Sequence, residues 1–511
     1  MAYIAPNSTI EIFGDISLSA GQEDTLYFSS TSAKDSYFSG ITKLMTLSSQ
    51  SYTRKDRGYI RVEATMTQLY NACYMRFKNT SFENKWFYAF ILSVNYVNNI
   101  TVEIQFEIDV MMTWMGAFTL AQCFIERQHV TDDAIGHNIV EENLDIGDYV
   151  YNSITRTNAL GDYTIIIGAS VDQSGKPVAG GTMVNNIYSG IELHQFGTVA
   201  AANSFIDQLT DKAKSDAIVA CVMCPSKFIT DQTAVTEIIT TSKNYTYIDG
   251  YQPKNNKLFT YPYNYLVVTN GQGNYATFRY EFWVASNDCR FSLGGVAGLQ
   301  PCAILTPDQY KHSAENLFNY SESMTLNNFP QCAFNIDQYK AFLAQNSASI
   351  AVDAVSTVGS GILNTVSGFA TLGLNGGLQK GIEAGVKIAN TLAFHSDYKK
   401  KPPQSNGVTT TDFDASRREK DFWFLKQSIT RQYAKVIDDY FTMYGYAIHE
   451  VATPNMNARP YYTYVKTVDA VVHGNIPSDD CRVIEDLFNR GTRFWKNHTQ
   501  IGNYSLNNAP T

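Results

Sequence analysis

The chain has 511 residues, of which 44% are hydrophobic and 17% charged, and its net charge is −9. This composition excludes global disorder and a general nucleic-acid-binding surface, although an acidic wall still lets DNA pass without trapping it. The length predicts roughly two to four domains.

Abundant aromatics, 33 Tyr and 29 Phe, favour strands. The start, Met1 to Pro6, carries neither a basic region nor an apolar core, so no secretory signal is predicted. The eight cysteines are scattered and read as free buried thiols made in a reducing compartment. Cys221 and Cys224 form a lone CxxC, which reads as a strand end rather than a zinc or redox site.

In chain order, "GYIRVEA" (58–64) alternates as a strand does. "KWFYAFILSVNYVNN" and the following "NITVEIQFEIDV" read as a hairpin. Ile100, Val102, Ile104, Phe106, Ile108 and Val110 mark the inner face of its second arm. Glu107 and Asp109 fall on the opposite, solvated face; a carboxylate pair at that spacing is the catalytic alternative. "YTIIIGAS" is a buried strand, and 198–216 is a helix capped by Thr198 with Val199, Ala202, Phe205, Ile206 and Leu209 near one face. "AIVACVMCP" (217–225) is the next strand, completing a small β-α-β insertion. Strands return over 263–283, turning at Asn270-Gly271 and alternating through Ala276, Phe278, Tyr280 and Phe282. Residues 461–476 read as one strand and 479–495 as a short helix ended near Gly491.

The middle differs in character. "AVSTVGSGILNTVSGFATLGLNGGLQ" (354–379) holds no charge and six glycines. Written as a helix, Gly373, Gly377, Gly381 and Gly385 form one row, and Leu374, Leu378, Ile382 and Val386 the next. Each interior glycine costs about 1 kcal/mol against alanine. A row of four therefore implies a compensating close approach of another helix, as GxxxG provides in membranes. Upstream, Ile350, Ala354, Val358, Ile362 and Val366 also stand four apart, so two helical arms are expected. About 20 apolar residues span a bilayer. The second arm carries Lys380, Glu383 and Lys387, which suit an interface or pore wall. A buried core helix and a loop packed inside an oligomer are the alternative readings. The flank 395–407 reads as a solvated basic linker whose lysines could touch anionic headgroups. No Walker A, HExxH, GxSxG or clustered His/Cys motif occurs, so neither enzyme chemistry nor a cofactor is expected.

Six stretches carry a family resemblance: "NKWFYAF" (84–90), "FEIDVMMTWM" (106–115), "FIERQHV" (124–130), "YGYAIHEV" (444–451), "YVKTVDAVVHGNI" (464–476) and "IGNYS" (501–505). Together and in this order they resemble the tail knob, or distal tail tube, proteins of small short-tailed phages with protein-primed DNA replication. The resemblance implies a mainly β fold with smaller α/β parts, in which antiparallel barrel-like tube domains assemble into a hexameric ring. It implies a β tube domain at 1–160, an α/β insertion at 161–245 and a β-rich lower tube domain at 246–345. A hydrophobic Gly-rich loop at 346–400 and a C-terminal part at 401–511, packed on the tube domain, follow. DNA leaves through the lumen, other tail proteins are partners, and the site of action is a virion tail made in the bacterial cytoplasm. The loop is expected to plug the lumen and later perforate the host membrane. Its inserting residues are then Ile350, Ala354, Val358, Ile362, Val366, Phe369, Leu372, Leu374, Leu378, Ile382 and Val386, with Gly373, Gly377, Gly381 and Gly385 packing the arms. Asp353, Lys380, Glu383, Lys387 and His395 are the charges placed to gate it. Acid would neutralise the two carboxylates, whereas His395 would gain charge and favour the interface. A host-receptor-binding tail protein is the alternative function, and a cell-wall hydrolase using Glu107 and Asp109 a third.

Overall fold

The structure, a computed structural model, describes residues 7–50, 57–172, 174–176, 183–184, 187–188, 191–212, 214, 217–229, 237–312, 317–327, 329–333, 409–410 and 420–510. It is mostly β with a half-barrel sheet. The chain divides into two compact units. One comprises Met1–Asp148, Gly250–Tyr263 and Ile429–Thr511; the other comprises Tyr149–Asp249 and Asn264–Ser428. Each unit is therefore closed by segments far apart in sequence.

The first unit is built on a six-stranded antiparallel sheet, ordered Met45–Gln50, Ser8–Phe13, Tyr74–Lys78, Phe87–Asn98, Thr101–Ile108, Arg57–Glu63. Period two explains it: Val102, Ile104, Phe106 and Ile108 are buried while the residues between them are half-exposed. Each such side chain contributes about 1.5–3 kcal/mol on full burial. Gly58 stands opposite Phe106, and a Cβ there would lie 2.2 Å from the phenyl Cζ. The ring occupies the space that the missing side chain leaves.

The alternation stops at Ile108, and here the structure corrects the sequence reading. Asp109 is not on the solvated strand face: it is 2% exposed and caps the helix Val110–Trp114, accepting from Met112 N at 2.9 Å. Tyr74 OH donates to its other oxygen at 2.9 Å. A second, five-stranded sheet orders Asp24–Leu26, Thr492–Trp495, Tyr462–Val468, Cys123–Gln128 and Tyr446–Ala452. The expected strand 461–476 breaks at Asp469, whose φ of 54° turns the chain before a short strand Val472–Gly474. The helix Ser478–Arg490 buries Ile484, Leu487 and Phe488 and stops where Gly491 takes φ 92°.

In the second unit one sheet orders Glu192–Phe196, Tyr163–Ala169, Ile218–Pro225, Gln331–Ala333 and Thr409–Thr410. Tyr163–Ala169 is buried throughout, as its unbroken apolar run predicts. The helix Val199–Asp211 covers this sheet with Ala202, Phe205, Ile206 and Leu209, and Thr198 Oγ1 accepts from Ala201 N at 3.2 Å. Two four-stranded sheets complete the unit: Tyr149–Arg156, Trp423–Ile429, Asn264–Thr269, Tyr275–Phe278, and Glu237–Ser242, Asp288–Val296, Cys302–Asp308, Met324–Leu326. The alternation expected through Phe282 ends at Phe278. Residues Tyr280–Phe282 form a 3-10 turn that buries Tyr280 and leads Trp283 into a cluster with Phe278, Phe291 and Tyr310.

Candidate functional site

The residues expected to enter a membrane, Ile350 to Val386, the glycines Gly373, Gly377, Gly381 and Gly385, and the charges Asp353, Lys380, Glu383, Lys387 and His395 all lie outside the described residues. The backbone on either side of them is described. The chain leaves its sheet after Gln331–Ala333 and returns in Thr409–Thr410, and these two strands are hydrogen-bonded antiparallel neighbours, Gln331 facing Thr410 and Cys332 facing Thr409. Paired residues in such a ladder stand about 4.5–5.5 Å apart. The excursion therefore begins and ends at one place, on a sheet anchored through Ile218–Pro225. Pro330 O, accepting from Met223 N at 2.9 Å, extends that anchor.

A buried polar network within the first unit secures Gly250–Tyr263 against the helix Arg431–Tyr444. The Asp438 carboxylate, fully buried, accepts from Tyr251 OH and Lys254 N at 2.8 Å each, and from Asn255 N at 3.0 Å. Asn255 Nδ2 reaches Thr442 Oγ1 at 2.8 Å. Asp133 accepts from Tyr446 OH at 2.5 Å and Asn256 N at 3.2 Å, and burial raises its carboxyl above the ordinary range. Glu142 binds Lys257 Nζ at 2.5 Å, Ala447 N at 3.1 Å and the Arg127 guanidinium. Burial, with the Arg127 charge adding to it, draws the Lys257 ammonium down to about 7. His129 accepts from Tyr464 N at 2.8 Å through Nδ1, which leaves Nε2–H to donate to Thr442 O at 3.1 Å; burial lowers its pKa to about 3, so the ring is neutral. Every partner in this network is a structural one, and it joins residues up to 335 positions apart. No single motif in the sequence announces it.

Nothing in the described residues assembles a reaction centre. Among them no group of three or more His, Cys, Asp or Glu is placed to hold a metal. Cys221 and Cys224 pack into different hydrophobic clusters, three residues apart on one strand, and burial pushes the Cys224 thiol up to about 12. Glu107 and Asp109 are separated by the strand end, with Asp109 committed to its cap. Among the described residues no helix is long and apolar enough to cross a membrane.

Residues 226–509 match the family described as the C-terminal domain of the Bacillus phage phi29 tail knob protein gp9. Residues 6–119 match the caudoviral major tail protein N-terminus. The chain is 24% identical to the tail knob protein gp9 of Bacillus phage PZA over 602 aligned positions, covering 99% of this chain and all of the relative. The phi29 protein of the same name gives the same identity and coverage. The bacteriophage C1 tail knob protein, gp12, has a similar fold at a TM-score of 0.66 and 14% identity, over 98% of this chain and 99% of that one. Tail knob proteins are structural components of a virion tail, where they associate with other tail proteins, and are not enzymes. The chain belongs to the tail knob protein family of gp9-type phages.

Proposed function

We propose that this protein forms the distal tube of a short phage tail as a hexameric ring through which DNA is ejected, and that residues 346–400 form a loop that plugs the lumen and is released to penetrate the host membrane. The observation that carries this reading is the two-strand neck. The described backbone on either side of this segment is paired, Cys332 with Thr409, so both of its ends are held at one place on one sheet. A segment held in this way is what a releasable plug requires, and its uncharged, glycine-rich stretch at 354–379 has the composition for close helix packing in lipid. Gly373, Gly377, Gly381 and Gly385 would pack the arms, with Asp353, Glu383 and His395 setting the response to acid. The acidic balance of the chain suits a wall that DNA passes without adhering.

A receptor-binding role is the second reading, and exposed Tyr70, Tyr275 and Tyr320, each more than 70% exposed, favour it. Phage particles carrying a short Gly/Ser linker in place of residues 347–394 separate the two. The tube reading expects normal adsorption, failed DNA delivery and no potassium efflux from the host. Normal delivery by those particles contradicts it and favours receptor binding, which needs none of residues 347–394.

A further inference from the structure

The first unit contains a cavity of about 280 Å³. It is lined by Gln22 and Glu23 from the loop before Asp24–Leu26, by Tyr444 and Tyr464, and by Arg490 and Arg493 on either side of Gly491. Arg493 is the unusual member. It is 7% exposed, yet its guanidinium is held from several directions: Tyr444 and Tyr504 rings lie 5.2 and 5.4 Å away, and Asp24 Oδ1 is 3.3 Å from Nη1. Trp495 Nε1 donates to that same Asp24 oxygen at 2.8 Å and fixes it. Arg493 Nε is buried with no hydrogen-bond partner among the described residues. Nη2 has none either, but it is not a buried orphan, so solvent reaches it. The Nε–Nη2 edge is thus the unengaged edge of a rigid, aromatic-flanked guanidinium.

We propose that this cavity is a carboxylate-binding site, with the Nε–Nη2 edge of Arg493 as its bidentate fork and Arg490 as a second cation at the rim. That edge presents two parallel N–H groups at the spacing of the two oxygens of a carboxylate, a match an ammonium cannot reproduce. Arg490 is exposed in the last helical turn with no ion pair among the described residues. The Tyr464 hydroxyl, which also has no partner among them, lies where a Cβ on Gly491 would collide with it. Gly491 therefore keeps the wall thin, and the hydroxyl supplies a further donor. Glu23 is the carboxylate that lines the rim, and its charge opposes an incoming anion. The occupant is either an acidic side chain of a second copy, which a chain of net charge −9 offers in abundance, or a free small carboxylate.

The test is titration of the full chain, labelled with ¹⁵N-arginine, against sodium acetate and against sodium chloride at matched ionic strength, reading the Nε–H resonances by NMR. Acetate is expected to shift the Arg493 signal saturably and chloride is not. Glu23→Gln should strengthen acetate binding roughly two- to five-fold and Arg490→Gln weaken it by a similar factor, the size of one nearby charge in a partly screened site. Both positions are exposed, so these variants fold. Arg493→Lys retains the charge and loses the fork; read at the Arg490 Nε–H, which the variant keeps, the saturable acetate response should be abolished. Sedimentation distinguishes the sources: self-association reversed by acetate and weakened by Arg490→Gln assigns the carboxylate to a second copy, and saturable binding without any change in mass assigns it to a free one. Equal responses to chloride and acetate, or no effect of Glu23→Gln and Arg490→Gln, overturn the proposal.

Discussion

Lys34 and Asp109 hold opposite ends of one helix. Asp109 caps the first turn of Val110–Trp114, and Lys34 Nζ, itself buried, takes the carbonyls of Met112, Thr113 and Met115 at 2.7, 3.2 and 3.1 Å. Lys34→Met keeps most of the volume and removes all three donors at once. Buried groups left without partners cost about 1–3 kcal/mol each. The variant should lose roughly 3 kcal/mol in urea unfolding, and a loss below about 1 kcal/mol would show that the carbonyls find other partners.

Asp109 also makes a pH prediction. Burial raises its carboxyl from 3.8 to about 6, against the opposing pull of Met112 N, Tyr74 OH and the Lys34 charge. A raised acid pKa means that its contribution is fully present below the unfolded value and is lost as pH rises through 6. The loss is about 3 kcal/mol by pH 7.5. Asp109→Asn keeps a cap acceptor and removes the ionisation. The variant should match the parent near pH 4 and exceed it at pH 7.5; parallel stability curves for the two proteins would contradict the assignment.

His129 titrates in the other sense. Burial depresses its pKa from 6.5 to about 3, with Arg459 and Arg127 adding to the effect. Its contribution is complete above pH 6.5 and is lost as pH falls toward 3, roughly 2 kcal/mol of it by pH 5. His129→Gln should start lower at pH 7 and lose less on going to pH 5. Equal losses in the two proteins would remove His129 as the acid-sensitive group.

The Gly58–Phe106 pair tests the packing of the hairpin sheet. Gly58→Ala forces a Cβ into the phenyl ring, and overpacking of this kind costs about 1–3 kcal/mol. Adding Phe106→Leu makes room for it. The double variant should be more stable than the two single changes sum to, by an interaction energy of roughly 1 kcal/mol or more. Strict additivity would mean that the ring moves aside without cost.

Much of the fold was legible because it is local. Thr101–Ile108 carries its period without a break, and Val199–Asp211 has both its cap and its apolar face. The helix Arg431–Tyr444 was not legible, because Asp438 and Thr442 occupy its inner face beside Ala434, Ile437 and Phe441. Ala434, Ile437 and Phe441 keep helical spacing, but the polar residues buried beside them have their partners at 251–255, far away in sequence. Asp109 was misplaced for a related reason: the alternation runs on in letters after the backbone has turned into a helix. The neck was invisible because two- and three-residue strands have no period, and their pairing is across the whole excursion.

Asp438 provides the strongest test of the buried network. Asp438→Ala strips the partner from Tyr251 OH, Lys254 N and Asn255 N together. Hydrogen exchange at the Lys254 and Asn255 amides should accelerate at least 100-fold, the equivalent of about 3 kcal/mol. Unchanged protection there would mean that Gly250–Tyr263 is held by apolar contacts instead.

The measurement closest to the central claim is dye release from anionic liposomes. The intact protein is compared with one in which a short Gly/Ser linker replaces residues 347–394, at pH 5 and pH 7.5, with both proteins folded and of equal oligomeric size. The account predicts leakage by the intact protein alone, stronger at pH 5 because Asp353 and Glu383 are closer to neutral there. Equal leakage by the two proteins, or none by either, would contradict membrane penetration by this segment.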